Sequence, residues 1–555
     1  MFTAGHLRLV DPAGPPVERV DQTRDLGVAT AAWGTAGWSP ASDAILVATQ
    51  LPPGELGSIE RAQWIRLDAT RQAVERFPSL PASLRLLADG HAMWVEHDLL
   101  WRAPFDGPAG LNGRASTVSD EPAVEARFAR DGSALYLSSS GLRLRSANGA
   151  IRPVPWPLQY QVRAAPRPVL IRGARVIDGR GSPLSEPRDV LVRNGRIARV
   201  APSGSIDASG IRVLDGAGEY LVPGLIDLHA HIWDDASLLS WLHNGVTTVR
   251  DIASQRVKTA DLRNIVEAGG REGPRIVYAG AMFHHGGGYS TLGNQMVSDA
   301  GDIARGVAIN AGMGAAYTKE RGFQGWERAA TVVREAHRYG MPVSGHCGHI
   351  LAVVAAGIDG AEHVLDCFRD RGTMRGDYVA LARASGEWIV PTAALRLSMV
   401  RVMDDPALLQ ADDVAPFLQP QYRPVYGTDA AAQRGRPALL AAVQRLEAGV
   451  RRYHDAGVLV AAGTDSPFPL GVQHELEALV ESGFSPAEAL VAATGAAARV
   501  LNAPEIGTIA PGQWADLLLL SANPLDDIRH VRRIHEVIQG GRVIDRERLR
   551  RDGVR

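Results

Sequence analysis

The stretch Val222-Pro-Gly-Leu-Ile-Asp-Leu-His-Ala-His231 is an apolar run that ends in two histidines placed two positions apart. On a β-strand, side chains at positions i and i+2 project from the same face, so His229 and His231 can bind one metal ion together. A His-x-His pair at a strand end, taken alone, is also compatible with two histidines that only make structural contacts. The rest of the chain has to decide between these interpretations.

The sequence on either side of this stretch predicts the architecture. Residues 168 to 222 and 505 to 545 both contain strand-like runs, broken in the first segment by Asn-Gly and Asp-Gly turns. Between them, short apolar runs such as 246 to 250 alternate with helical stretches such as 326 to 338. This alternation predicts an α/β fold with a (β/α)8 barrel over residues 223–499. The two flanks, residues 166–222 and 500–555, are predicted to form one composite β-sandwich domain.

Residues 1–165 have a different, β-rich pattern that repeats. The run Asp89-Gly-His-Ala-Met-Trp-Val95 matches Asp131-Gly-Ser-Ala-Leu-Tyr-Leu137 at a spacing of 42, and Trp38-Ser-Pro40 begins an earlier copy. Strand-containing repeats of 40 to 50 residues indicate propeller blades, and these resemble blades of TolB-like propellers, with a plain β-sandwich as the alternative. About three copies predict a partial propeller, whose edges need cover from the rest of the chain or from a second subunit. We therefore expect a homo-oligomer.

Composition argues against several classes of function. The 555-residue chain has a formal net charge of −2, which provides no positive field for nucleic acid or an anionic membrane. No stretch approaches the roughly 18 to 20 apolar residues of a membrane span, and the start of the chain lacks a signal-peptide pattern. We expect a cytoplasmic protein, or a periplasmic one if a leader was removed, with no nucleic-acid or membrane partner.

Lysine is almost absent from the chain, which directs attention to the lysines that remain. Of the 59 basic residues, only Lys258 and Lys319 are lysines. A lysine can lose its proton and react as a neutral amine, which an arginine cannot do. Lys258 lies in a polar segment and is interpreted as a surface residue. Lys319 ends the short strand-like run that begins at Gly314, so it is a candidate functional residue.

Polar residues follow five of the predicted barrel strands. In a (β/α)8 barrel the chemistry lies at the carboxyl ends of the strands, where side chains from several strands converge. Each residue by itself also has a structural interpretation, such as a helix N-cap for the aspartate, but five such positions in succession favour one shared site. The five positions are His229 with His231, Lys319, His346, His363 and Asp465.

These motifs resemble the amidohydrolase superfamily, in particular its imidazolonepropionase-like and Xaa-Pro dipeptidase-like branch with a fused TolB-like propeller. The resemblance covers residues 168 to 545 and rests on the stretch ending at His231 and on four further motifs. They are Gly-Val-Thr-Thr-Val-Arg-Asp (245–251), Ala-Gly-Thr-Asp-Ser (462–466), Ser-Pro-Ala-Glu-Ala-Leu-Val-Ala-Ala-Thr (485–494) and Ala-Asp-Leu-Leu-Leu-Leu-Ser-Ala-Asn-Pro-Leu (515–525).

The resemblance implies a binuclear metal centre. His229, His231 and Asp465 would hold one metal, His346 and His363 the second, and a carbamate on Lys319 would bridge both. The metals are expected to be zinc, with manganese or cobalt as alternatives. Many propeller-fused members carry a carboxylate at the position of His346, so the number of metals stays open.

The chemistry of these residue types predicts hydrolysis of an amide-type C–N bond in a dipeptide, an N-acyl amino acid or a lactam. A metal-bridging hydroxide would attack the carbonyl, and Asp465 would move the proton to the leaving nitrogen. His285 is the second candidate catalytic residue. Candidates for substrate contact are His284, His285, Tyr289, His349 and His474. The Pro-rich, aromatic segment 416 to 426 is a candidate lid over the site.

Two other functions remain open. One is a mononuclear imidazolonepropionase-like or deaminating enzyme that uses His229, His231, His346 and Asp465 with Lys319 unmodified. Deaminases of this kind usually need a glutamate just after the fifth strand, and Cys347-Gly-His349 supplies none. The other is a non-catalytic binding protein based on the propeller. A complete set of costly polar ligands argues against it.

Overall fold

A computed structural model provides the architecture. The described residues are 5–9, 24–30, 36–38, 45–49, 61–67, 73–81, 84–106, 110–111, 114–155, 165–182, 184–232, 234–253, 255–284, 294–297, 299–321, 326–346, 354–368, 374 and 376–553.

The chain divides into two compact units. The first contains Met1–Gln159 together with Phe283–Gly314, and the second contains Tyr160–Met282 together with Ala315–Arg555. Among the described residues, none of the helices combines the length and the apolar character needed to cross a lipid bilayer.

The N-terminal part of the first unit consists of antiparallel strands. In the second of its sheets, neighbouring strands have the order β10-β9-β8-β7, and in the third the order is β12-β13-β14-β15. The strands are β1 Gly5–Leu9, β2 Arg24–Thr30, β3 Ala36–Trp38, β4 Ile45–Thr49, β5 Arg61–Leu67, β6 Ala73–Pro81, β7 Arg85–Leu86, β8 His91–Glu96, β9 Leu99–Asp106, β10 Gly110–Leu111, β11 Ser116–Thr117, β12 Glu125–Phe128, β13 Ala134–Ser138, β14 Gly141–Arg145 and β15 Ile151–Pro153.

The repeated Asp-Gly motif forms the same turn in two of these sheets. Asp89 accepts a hydrogen bond from the backbone N–H of His91 at 3.1 Å, and Asp131 accepts one from Ser133 at 2.8 Å. The glycine that follows each aspartate has a positive φ, +79° at Gly90 and +86° at the second copy, a conformation that favours glycine. The sequence repeat at a spacing of 42 is therefore also a structural repeat.

One sheet of the second unit combines strands from both flanks of the chain. Its order is β18-β17-β16-β20-β30-β31-β32, with β19 paired to β16. Its apolar face is fully buried around Ile171, Val190, Leu517 and Leu519. These strands are β16 Val169–Val176, β17 Pro187–Arg193, β18 Arg196–Pro202, β19 Arg212–Asp215, β20 Tyr220–Pro223, β30 Leu517–Leu520, β31 Ile534–Gln539 and β32 Arg542–Val543.

Parallel strands carry the polar positions identified in the sequence. β21 pairs with β22 and β22 with β23, while β26, β27, β28 and β29 pair in that order, all in parallel. The strands of this region are β21 Leu225–Ala230, β22 Val246–Asp251, β23 Arg275–Tyr278, β24 Met282–His284, β25 Asn294–Met296, β26 Thr318–Arg321, β27 Val343–His346, β28 Gly360–Glu362 and β29 Trp388–Val390.

Further backbone hydrogen bonds of the second unit join these two sets of strands. The N–H of Ala316 donates to the carbonyl of Tyr278 at 3.0 Å, and the N–H of Ala461 donates to Ile389 at 3.0 Å. The N–H of Leu228 in β21 donates to Ala462 at 3.1 Å. The segment 459–465 therefore lies between β29 and β21.

Helices alternate with these strands along the chain. They are α1 Asp235–His243, α2 Arg256–Glu267, α3 Ala300–Gly312, α4 Trp326–His337, α5 Gly376–Ser385, α6 Ala394–Asp404, α7 Ala430–Asp455, α8 Gly471–Glu481, α9 Pro486–Ala492, α10 Gly495–Val500 and α11 Arg546–Gly553. Short 3-10 helices span Val364–Phe368, Pro406–Gln410, Arg423–Tyr426 and Ile528–Arg532.

Candidate metal centre

Histidine and aspartate side chains from several strand ends meet in the second unit. Ligand atoms of His229, His363 and Asp465 all lie within 4.8 Å of one another. His231 Nε2 is 3.2 Å from Asp465 Oδ1. The ring of His346, at the end of β27, has its centroid 4.5 Å from that of His363. Five of the six predicted metal ligands therefore form one cluster.

Lys319 lies on β26 and is 1% exposed. Its Nζ is buried without a hydrogen-bond partner among the described residues. Burial lowers the pKa of Lys319 to about 8, against the opposing charges of Glu362 and Glu320. Asp465 is also among the charges that act on it. A buried, unpaired amine near these carboxylates is costly unless another group satisfies it.

Hydrogen bonds at Nδ1 orient three of the histidine rings. His229 Nδ1 lies 2.8 Å from Glu362 Oε2, and His231 Nδ1 lies 3.2 Å from the carbonyl oxygen of Ala253. Both acceptors require a proton on Nδ1, so the neutral form of each ring carries its lone pair on Nε2. His363 Nδ1 is 2.9 Å from Thr392 Oγ1. Partners of this kind fix the orientation and tautomer of metal-binding histidines.

Glu362 is held in turn by a buried arginine. Arg250 Nη2 donates to Glu362 Oε1 at 2.5 Å, and Arg250 Nε donates to the carbonyl of Leu228 at 2.6 Å. The guanidinium stacks over the rings of Tyr317 and Trp388, each at 4.8 Å. Burial alone would raise the pKa of Glu362, but Arg250 and His229 together hold it well below its usual range. Glu362 is therefore an ionised hydrogen-bond acceptor for His229.

The backbone is strained at the same place. His363, Thr392 and Asp465 have φ values of +62°, +57° and +50°, and they are three of the seven non-glycine residues with positive φ in the described part of the chain. Such conformations cost on the order of 1–3 kcal/mol each and cluster at functional sites. The concentration of strain at these three residues supports a functional role for the cluster.

Asp465 is positioned by backbone contacts with β21. Its N–H donates to the carbonyl of His229 at 2.8 Å, and the preceding Thr464 donates its hydroxyl to Asp227 at 2.8 Å. Burial would raise the pKa of Asp465, but His229 and His231 lower it to about 2. Burial lowers the pKa of His229 and of His363. Burial opposes the charged form of His231 as well, but the hydrogen bond to Asp465 raises the pKa of that ring. An ionised carboxylate beside the neutral imidazoles of His229 and His363 is the form that binds a divalent cation.

A cleft opens beside this cluster. His231 and Asp465 line it together with residues of α1, the segment 417–422 and residues 466–468. Phe417, Gln419 and Tyr422 belong to the segment that the sequence suggested as a lid, and they form part of the wall.

The remaining predicted residues fall in different places. His284 ends β24 and belongs to the first unit. His285, Tyr289 and His349 lie outside the described residues. His474 is 1% exposed, bonds to Ser398 Oγ through Nδ1 at 2.8 Å, and stacks on Phe468. Burial lowers the pKa of His474 to about 3, so these contacts make it a neutral core histidine.

Sequence reasoning assigned no role to Glu362, Arg250 and Thr392. Arg250 belongs to the motif 245–251, and Glu362 directly precedes His363. A charged residue inside an apolar strand run is a signal for a buried ion pair, since charges of this kind are seldom buried unless paired. Thr392 has no comparable signal.

A sequence profile described as "Amidohydrolase family" matches residues 220–544. The chain belongs to the amidohydrolase family. The match covers all the residues of the candidate metal centre together with the C-terminal strands of the flanking sheet.

Curated amidohydrolase relatives are similar over part of their length. Adenine deaminase of Chelativorans sp. is 27% identical over 220 residues, which are 36% of this chain and 35% of that protein. Adenine deaminase 2 of Rhizobium meliloti is 26% identical over 396 residues, which are 68% of this chain and 56% of that protein. The matches therefore span between about a third and just over half of these two relatives.

Solved amidohydrolase structures align over most of their own length. A Bifidobacterium longum protein assigned as a prolidase has 25% identity and a TM-score of 0.57, covering 71% of this chain and all of that one. Ochratoxinase of A. niger has 21% identity and a TM-score of 0.54, covering 68% of this chain and 95% of the other. The second likeness indicates a shared fold.

Proposed function

We propose that this amidohydrolase is a metal-dependent hydrolase of amide-type C–N bonds in small molecules. The observation that carries the proposal is the arrangement of the histidines. His229 and His231 are anchored through Nδ1 and present Nε2 beside the ionised Asp465. The family and the solved relatives, which include a protein assigned as a prolidase and an ochratoxinase, support the same class of bond.

The donor set fits a divalent cation such as zinc. Imidazole nitrogen and carboxylate oxygen are ligands that zinc accepts. Such atoms of His229, His363 and Asp465 lie within 4.8 Å of one another, and His231 Nε2 lies 3.2 Å from Asp465 Oδ1. His229, His231 and Asp465 would hold one ion, and His346 and His363 a second. When bound, the metal supplies a polarised substrate carbonyl and water that is nucleophilic at neutral pH.

Asp465 is the proposed proton carrier. Its carboxylate is ionised, lines the cleft and contacts His231. A carboxylate in this position can accept a proton from the attacking water and donate it to the nitrogen that leaves. Transfer to the nitrogen makes the amine a competent leaving group, so the C–N bond breaks.

Lys319 is the proposed site of a carbamate. Its neutral amine would add to carbon dioxide, forming an N–C bond and releasing one proton, and the product is a carbamate whose single negative charge is shared by two oxygens. The buried Nζ without a partner supports this proposal, because two metal–oxygen bonds would satisfy the site.

The predicted architecture also belongs to the proposal. Hydrogen bonds from β23 to residue 316, from β29 to residue 461 and from residue 462 to β21 support a closed (β/α)8 barrel over 223–499. The shared sheet supports a composite domain from 166–222 and 500–555. The repeated turns at Asp89 and Asp131 support blades of a partial propeller over 1–165. A homo-oligomer stays a prediction.

Removal and return of metal test the function. A chelator should abolish turnover of dipeptide, N-acyl amino acid and lactam substrates, and zinc or manganese should restore it. Lys319→Arg should keep the fold, measured by circular dichroism, and abolish turnover. Turnover within about tenfold of the unaltered protein would show that the carbamate role is wrong. Unchanged turnover after complete metal removal would refute metal dependence.

A mononuclear deaminase is the second candidate, favoured by the similarity to adenine deaminases. It predicts one bound metal per chain and ammonia release from an aminopurine. The proposed hydrolase predicts two metals and no ammonia from that substrate. Metal content measured on the protein used for the assay separates the two.

A further inference from the structure

A cavity of the second unit lies beside α10, where the flanking sheet meets the last helices of the barrel region. Its volume is about 510 Å³, within the roughly 300–1,000 Å³ of small-molecule sites. Residues 179–180, Val491, α10 and the segment 502–508 line it. None of the candidate metal ligands is among the described residues of the lining. We propose that this α10 cavity binds a small organic anion, a phosphate monoester, at a site separate from the metal centre.

Two arginines line the α10 cavity. Arg180 lies in the loop after β16, and Arg499 lies in the last turn of α10. Both residues are exposed, and neither guanidinium has a hydrogen-bond or ion-pair partner among the described residues. The described part of the lining contains no aspartate or glutamate. A guanidinium is charged at neutral pH and its geometry matches phosphate, so these two side chains favour an anion.

A second cavity of similar size, about 530 Å³, is also lined by arginines, but its charges are compensated. Arg401 Nε donates to Glu477 Oε2 at 3.1 Å, and Arg529 Nε donates to Asp527 Oδ1 at 3.0 Å. Both carboxylates line the same cavity as the arginines that they bind. The protein therefore supplies the anions for that cavity, whereas the arginines of the α10 cavity have no carboxylate of the described residues as a partner.

The carboxylate that precedes Arg180 in the sequence makes its hydrogen bonds within its own loop. Asp178 Oδ1 accepts from the backbone N–H of Arg180 at 2.9 Å, and its Oδ2 accepts from the hydroxyl of Ser182 at 2.8 Å. Neither bond involves the guanidinium. Glu505, which follows α10, is exposed and does not line the cavity. A phosphate monoester carries about −1.5 to −2 charges at pH 7, so it matches two cations better than a monocarboxylate does.

Small apolar side chains leave room for the organic part of the ligand. Ala496, Ala498 and Ile506 line the α10 cavity and are buried, and Val491 lies beside them in the lining. An apolar group placed against these side chains is removed from water, which stabilises the bound state. An inorganic ion would leave this apolar surface exposed. The cavity therefore fits an ester better than the bare ion.

Close backbone contacts shape the α10 cavity before any ligand binds. A Cβ on Gly507 would lie 2.6 Å from the carbonyl oxygen of Thr494, and a Cβ on Gly495 would lie closer still to the carbonyl oxygen of Gly179. The loop after β16, the start of α10 and the segment 502–508 are therefore packed together without intervening side chains. A preformed cavity lowers the entropy cost of binding.

Calorimetric titration of the metal-loaded protein with four compounds tests the ligand class. Phenyl phosphate has both the apolar group and the double charge. Phenol lacks the charge, benzoate has a single charge, and inorganic phosphate lacks the apolar group. We expect phenyl phosphate to bind about tenfold more tightly than each of the other three, because each of them loses one of the two kinds of contact or half of the charge.

Four variants assign the binding to the α10 cavity. Arg180→Gln and Arg499→Gln should each weaken phenyl phosphate binding about tenfold, the expected effect of losing a charge-assisted hydrogen bond. Arg199→Gln is the matched control and should bind normally, because Arg199 is also exposed and without a partner among the described residues but does not line the cavity. Pro504→Lys adds a cation at an exposed position of the lining and should strengthen binding about threefold.

The outcomes decide both the place and the ligand. If the two arginine variants bind phenyl phosphate as tightly as the unaltered protein does, the anion binds elsewhere, such as at the metal centre, and the proposal is wrong. Benzoate or inorganic phosphate binding as tightly as phenyl phosphate would overturn the assignment to a phosphate monoester. Tighter binding by Pro504→Lys cannot result from misfolding, so this variant supports the cavity even if an arginine variant loses its structure, and unchanged affinity would count against it.

Discussion

The histidine cluster depends on a charged pair that lies behind it. His229, Glu362 and Arg250 form a chain of hydrogen bonds at 2.8 and 2.5 Å, and all three side chains are buried. A carboxylate bonded to Nδ1 increases the basicity of an imidazole and fixes the direction of its Nε2, as in metal-binding histidines. The arginine compensates the charge that burial would otherwise disfavour.

Glu362→Gln should weaken metal binding about 10- to 100-fold, the usual effect of removing such a partner. The amide can accept only one of the two hydrogen bonds and leaves Arg250 without an opposing charge. Metal affinity, measured by competition with a chromophoric chelator, provides a readout independent of turnover.

Glu387→Gln is the matched control. Glu387 is 2% exposed, and neither of its carboxyl oxygens has a hydrogen-bond partner among the described residues. Burial raises its pKa to about 8, so the group is already neutral at pH 7. We expect this variant to bind metal like the unaltered protein. Equal affinity in both variants would show that Glu362 does not position His229.

At the scale of elements, α8 is a helix whose buried face carries ionisable groups. His474 and Glu475 follow one another, and both are buried. Glu475 Oε2 accepts a hydrogen bond from the N–H of Ala394 at 2.7 Å, at the start of α6. Helix periodicity alone would predict apolar residues at these buried positions.

Glu475→Gln should make stability less dependent on pH. Burial raises the pKa of Glu475 from 4.5 to about 8, so the folded protein keeps a proton that the unfolded chain releases above its own lower pKa. The free energy of unfolding therefore falls as pH rises from about 4.5 to 8, by up to about 1.4 kcal/mol per pH unit. The glutamine variant lacks this dependence on pH. Its free energy of unfolding, relative to that of the unaltered protein, should therefore be higher at pH 8 than at pH 5. Urea unfolding curves at these two pH values measure the difference, and equal shifts at both would contradict it.

At the scale of the whole chain, the two flanks of the second unit pack on one another. β20 pairs with β30 over four residues, and the N–H of Ile509 donates to the carbonyl of Asp178 at 3.1 Å. Gly179 lies at this junction with φ of +78°. A Cβ there would lie 2.8 Å from Pro223 Cγ and closer still to the carbonyl oxygen of Gly507.

Gly179→Ala should therefore destabilise the protein through the contact between its flanks. Gly204→Ala is the matched control, because Gly204 has the same φ of +78° and nothing within 4 Å of an added Cβ. The control should lower the free energy of unfolding only by the backbone strain, on the order of 1–3 kcal/mol. The difference between the losses of unfolding free energy in Gly179→Ala and in Gly204→Ala measures how much the close packing of the flanks contributes to stability. Equal losses would show that the flanks do not depend on this packing.

The sequence by itself determined the family, the types of residue at the metal cluster and their places at strand ends. These features are local: His229 and His231 share a strand face, and Lys319, His346 and His363 each end a short run. Local patterns survive in a single sequence because each depends on neighbours only a few positions away.

Only the tertiary structure decided the partners that make these residues a site. Glu362 is 133 positions from His229, Arg250 is 112 from Glu362, and Asp227 is 237 from Thr464. Such contacts arise from the pairing of distant strands, and no periodicity in the sequence encodes which pair will touch. The residues that line the cleft beside His231 and Asp465 come from separate segments for the same reason.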